Sequence, residues 1–91
     1  MEKYKITTRS KKAEKQYYEV INSRPGIPEK LELLKENPRN ALDAHKLKGK
    51  LREKWSCYLG WDLRIIYEID DNSKEIIGAI KQINILLHTI V

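Results

Sequence analysis

The apolar residues of this 91-residue chain change spacing part-way along it, and this change limits the fold more than any other feature. Between residues 10 and 40 they recur every three to four positions, the spacing of a helix with one face on a core. From about residue 55 they recur every second position, as in a strand with one face buried. "DLRIIYEI" (62–69) is the clearest case, with Leu63, Ile65, Tyr67 and Ile69 on one face.

The remaining elements follow from local signals. "KYKITT" (3–8) alternates Tyr4 and Ile6 with polar residues and reads as a short strand. Ser10 is placed to cap a helix running to about residue 23, whose apolar positions are Ala13, Tyr17, Val20 and Ile21. "RPGIPEK" then breaks the chain. Pro28 suits the first position of a second helix, with Glu29 in its positive first turn and Ile27, Leu31 and Leu34 on one face. Asn37 and Pro38 end that helix, because the residue before proline is pushed out of helical geometry. "WSCYL" (55–59) reads as a strand before 62–69, and "DDNS" (70–73) carries turn residues. "KEIIGAIKQINILLHTIV" (74–91) reads as one strand with a terminal extension, Gly78 marking a bulge. A strand, two helices and then a run of strands predicts one α+β domain over residues 1–91. Its helices pack on one face of a small, mostly antiparallel sheet and leave the other face open.

Charge is distributed unevenly. The net charge is +5 and the pI near 9.4, but residues 1–54 hold fifteen Lys/Arg against eight Asp/Glu, and residues 55–91 hold three against five. This favours an anionic partner, nucleic acid or an acidic protein. One cysteine, Cys57, excludes an internal disulfide and reads as a small buried hydrophobe. The charged N-terminus has no apolar h-region, and no apolar run approaches the ~20 residues of a membrane span, so a soluble cytoplasmic protein is expected.

Four groups of residues carry possible chemistry. In "HKLKGKLREKWS" (45–56), Lys46, Lys48, Lys50, Arg52 and Lys54 alternate with other residues. An extended segment would align all five for a phosphate backbone, although Gly49 permits a turn and a solvated edge is the simpler reading. Asp62 and Arg64 would share a face at i and i+2, either as an ion pair or with Arg64 as a phosphate clamp. His45 and His88 are the only histidines and suit acid–base work if brought together, or lie apart on the surface. Tyr67 belongs to the core face, whereas Tyr58 is placed to expose its hydroxyl, for stacking or proton donation. Trp55 reads as structural and Trp61 is left unassigned.

"HKLKGKLREKWSCYL", "DLRIIYEID", a turn and a final segment ending in "LLHTIV" resemble the RelE/ParE superfamily of bacterial and archaeal toxins over the whole chain. The most specific parts are "LKG" (47–49), "RIIYEI" (64–69) and the near-terminal histidine. The resemblance implies a RelE-like fold and a type II toxin that cleaves messenger RNA on the ribosome. It implies a cognate antitoxin wrapping the toxin in a hetero-oligomer, and no cofactor. Arg64 matches the arginine that opens the R-hydrophobic-hydrophobic-Tyr strand, and Lys46, Lys48 and Lys50 match basic residues facing the message, with Arg52 and Lys54 peripheral. His45, Asp62 and His88 resemble the YafQ branch, with Tyr58 where that branch has a further histidine. The segment before His88 is longer than usual, and the aromatic that often follows that histidine is absent. On this pattern His88 is the general acid, His45 or Asp62 the base, and Arg64 with Lys48 or Lys50 stabilises charge on the phosphorane, without a metal. The alternatives are a ParE-like protein that binds DNA gyrase and a basic module with no chemistry of its own.

Overall fold

The computed structural model describes residues 3–82. In chain order it contains β1 (Lys5–Thr7), α1 (Lys11–Ser23), α2 (Ile27–Glu36), β2 (His45–Lys46), β3 (Trp55–Gly60), β4 (Leu63–Asp70) and β5 (Glu75–Gln82). The five strands form one sheet in the order β1-β5-β4-β3-β2. Only the β1–β5 pair is parallel, so the expected mostly antiparallel α+β architecture is present.

The helix signals act as their chemistry requires. Ser10 Oγ accepts the Ala13 backbone N–H at 3.1 Å, satisfying one of the orphan donors at the start of α1. α2 begins one residue earlier than expected: Ile27 is its first residue and Pro28 its second, where the missing N–H is still no loss. Ile27, Leu31 and Leu34 of α2 are buried against Cys57, Leu59, Leu63, Ile65, Tyr67, Ile76 and Ile80 of the sheet. Tyr17, Val20 and Ile21 of α1 pack on the edge of that cluster. Tyr67 is fully buried, and its hydroxyl donates to the Pro38 carbonyl at 2.6 Å, tying the central strand to the exit of α2. Trp55 packs on the same core, in the structural role expected of it.

Gly78 does not mark a bulge. β4 and β5 pair without interruption from Leu63↔Gln82 to Asp70↔Glu75. The glycine is opposite Tyr67, and a Cβ there would stand 2.9 Å from the Tyr67 Cβ and 3.0 Å from the Ile66 carbonyl oxygen. It makes room for a buried aromatic ring. Gly78→Ala is therefore expected to destabilise the fold by about 1–3 kcal/mol, read as a lower urea midpoint at unchanged slope. The sheet's irregularity falls between Tyr58 and Gly60, where the β3–β4 register shifts by one residue.

The β4–β5 turn is tied to the end of α2. Arg39 donates two hydrogen bonds to the Asp71 carboxylate, at 3.2 and 2.8 Å, and the Tyr4 hydroxyl donates a third. These donors, Arg39 first, lower the Asp71 pKa from its ordinary 3.8 to about 2. A carboxylate held below its unfolded pKa contributes stability above pH 3.8 that is lost as pH falls towards 2. Asp71→Asn is expected to flatten the dependence of thermal midpoint on pH across that window; an unchanged slope would contradict the pairing.

Candidate functional site

Strand register divides the sheet into two faces. Leu63, Ile65 and Tyr67 of β4 are buried under the helices, so Arg64, Ile66 and Glu68 line the opposite, open face. Arg64 sits mid-sheet there, directly opposite Tyr58 on β3 and Lys81 on β5. His45 pairs with Ser56, two residues before Tyr58 and on the same face, and the rings of His45 and Tyr58 are 6.3 Å apart between centroids. Tyr58 is well exposed, Arg64 is half-buried and Lys81 is exposed. The open face thus brings together a histidine, a tyrosine, an arginine and a lysine from four strands.

Arg64 is the unusual member. Its Nε is buried with no hydrogen-bond partner, and no carboxylate pairs with its guanidinium among the described residues. Leaving a buried N–H unsatisfied costs on the order of 1–3 kcal/mol, which a structural arginine would avoid by pairing. Its planar fork of donors suits a phosphate.

Asp62 does not stand beside Arg64 as the sequence suggested. It lies in the turn before β4, whose first residue is Leu63. Arg24 grips its carboxylate in a two-pronged bond, Nη1–Oδ1 2.6 Å and Nη2–Oδ2 2.8 Å. Those hydrogen bonds hold the Asp62 pKa below its usual value.

The basic alternation is also rearranged. Within residues 45–54 only His45 and Lys46 pair as a strand; Gly49 takes φ +73°, and residues 49–51 form a 3₁₀ turn. No ridge of five cations exists. Lys46 pairs with Trp55 and so projects to the helix side, while Lys48 and Lys50 are exposed on the turn. Arg52 is exposed, and its Nε lies 4.0 Å from the equally exposed Glu53. Lys54 is bound to Glu68 of the open face at 2.7 Å, and Arg9 donates to the same carboxylate. His88 lies outside the described residues.

Beside the arginine cluster runs a groove of about 340 Å³, floored by Ile66, Ile77 and Ala79. Leu51, Lys54, Lys81, Arg9 and Ala13 complete its lining. Lys81 was not singled out in the sequence, because its place opposite Arg64 depends on the β4–β5 register. Cys57 is buried on the helix side, and burial pushes its thiol pKa up to about 12, which leaves it inert.

The fold recurs in known structures. The RelBE2 toxin–antitoxin complex of Mycobacterium tuberculosis contains a chain that superposes with a TM-score of 0.67 at 16% identity, over 88% of this chain and 98% of that one. A chain of the heterotetrameric YoeB–YefM toxin–antitoxin complex of Staphylococcus aureus matches at 29% identity and TM-score 0.63, over 84% and 91%. The chain has the RelE/ParE toxin fold. YafQ of Escherichia coli shares the RelE/ParE fold more distantly, at 14% identity and TM-score 0.55, over 84% and 91%. No protein-family model and no curated protein matches the sequence. No described helix is long and apolar enough to cross a membrane.

Proposed function

We propose that the chain is the toxin of a toxin–antitoxin pair and a metal-independent endoribonuclease acting on messenger RNA at the ribosome. The observation that carries this reading is Arg64, whose buried Nε has no partner among the described residues, at the centre of an open sheet face beside Tyr58, Lys81 and His45. The fold shared with proteins crystallised as toxin–antitoxin complexes supports the toxin assignment.

The chemistry follows from the residue types. His45 takes the proton of a ribose 2′-hydroxyl, whose oxygen then forms a bond to the adjacent phosphorus. Arg64, with Lys81 and with Lys48 or Lys50 from the 3₁₀ turn, balances the charge on the phosphorane. The P–O5′ bond breaks and the 5′-oxygen takes up a proton, leaving a 2′,3′-cyclic phosphate and a 5′-hydroxyl. Tyr58, beside Arg64, is the described residue with a proton to give, while His88 holds the same role on the sequence pattern. Asp62 is left out as base, because Arg24 already occupies its carboxylate. Arg52 and Lys54 stay peripheral, Lys54 being held by Glu68. The apolar groove with its basic rim suits a short amphipathic, acidic segment, the chemistry expected of an antitoxin that blocks this face.

Induction of the chain in cells, with breaks mapped in both messages and DNA, tests the reading. Breaks in translated messages are expected, with Tyr58→Phe and His88→Gln identifying the acid by which one slows cleavage more. Gyrase-dependent DNA breaks with intact messages would overturn it in favour of a gyrase-binding toxin.

A further inference from the structure

His45 is approached by an unusual backbone. Leu42 (φ 56°, ψ 40°) and Asp43 (φ 56°) are consecutive non-glycine residues in the left-handed region. Aspartate tolerates that region, but for leucine it is a true outlier. Such a conformation persists only where its surroundings impose it, and it concentrates at functional sites. Here both ends are fixed. The Asn40 and Ala41 N–H groups bond to the Asn37 carbonyl at 3.2 and 3.0 Å, and the Ala44 N–H bonds to the Ala41 carbonyl at 2.9 Å. Leu42 and Ala44 pack against the core, and His45 is locked into β2 by its pairing with Ser56.

The consequence is a contact between the Asp43 backbone carbonyl and His45 Nδ1, at 3.1 Å. A carbonyl oxygen has no proton, so Nδ1 must be the donor. We infer that the Leu42–Asp43 turn is a positioning device: by holding the Asp43 carbonyl against His45 it keeps the neutral ring protonated on Nδ1 and its lone pair on Nε2. This rests on the reading of His45 as the general base, since a base must present a lone pair rather than a proton. The carbonyl fills the role that an orienting carboxylate plays beside many catalytic histidines. The Asp43 side chain takes no part, because the backbone oxygen is what His45 meets. The ring's neighbour across the sheet is Tyr58, 6.3 Å away between ring centroids, while Lys46 points to the opposite face.

The test is the histidine tautomer, read by ¹⁵N NMR of the full chain, which needs no catalysis. Wild type and Asp43→Asn, which still adopts the left-handed region, are expected to show His45 protonated on Nδ1. Asp43→Val, whose branched side chain disfavours that region, is expected to show a mixture of tautomers. It should also lose about 10²-fold in kcat at unchanged KM, approaching His45→Ala. A wild-type ring protonated on Nε2, or an Asp43→Val ring still wholly protonated on Nδ1, would overturn the inference. If Asp43→Val does not fold, the wild-type tautomer decides alone. Correct tautomers in a chain that never cuts a translated message would count against the nuclease reading and not against the turn.

Discussion

Arg64→Ala is expected to lower message cleavage by about 10²–10³-fold while leaving the protein as stable as before, or slightly more so. The catalytic loss is that of removing one charge-stabilising donor from a pre-organised site. The stability result is the sharper discriminator. Arg64 has a buried, unsatisfied Nε and no carboxylate partner among the described residues, so truncation removes a desolvation cost that offsets the lost packing of its aliphatic stem. Arg64→Lys keeps the charge but loses the planar fork, and is expected to fall between wild type and alanine. Chemical denaturation beside a cleavage assay checks both halves. A large drop in stability on truncation would show that Arg64 is a structural residue.

Ile65→Ala, one position along the same strand, is expected to do the reverse. Ile65 is fully buried, opposite Cys57 and Ile80, in the middle of the core. Removing its side chain there leaves a cavity and costs about 2–5 kcal/mol. For a domain of this size, near the low end of the usual ~5–15 kcal/mol, that is a large share of the total. The thermal midpoint should drop by at least ~8 °C, and activity should fall only with the folded fraction. A small shift would mean that the core relaxes to fill the space. The two substitutions together express the period-two design of β4: one face holds the fold and the other is open.

Much of this was legible in the sequence because the signals were local. The alternation in 63–69 separates Arg64 from Ile65 and Tyr67 without any structure. Ser10 and the Asn37–Pro38 pair mark helix limits that the structure keeps. What escaped depends on partners distant in sequence. The bond from Arg24 to Asp62 crosses 38 positions and belongs to the fold, so nothing near Asp62 announces it. Lys81 reaches Arg64 only through the β4–β5 register. The basic alternation from 46 to 54 imitates a strand, yet Gly49 at positive φ turns it, and the cations separate. Gly78 was mistaken for a bulge because a glycine required by a buried neighbour looks the same in sequence as one required by irregular backbone. The Leu42–Asp43 turn gives little signal, since Asp43 tolerates the left-handed region but the leucine before it does not, and no glycine marks the conformation.

The central claim is that the open face around Arg64 cuts RNA presented by the ribosome. It is tested most directly by incubating purified wild-type and Arg64→Ala chains with one message, naked and in translating ribosomes, and mapping the ends produced. The account predicts cuts by wild type in the translated message only, ending in 2′,3′-cyclic phosphate and 5′-hydroxyl groups and persisting in the presence of a metal chelator, with Arg64→Ala nearly silent. An intact translated message with wild type, or equal cleavage by the two chains, would contradict it.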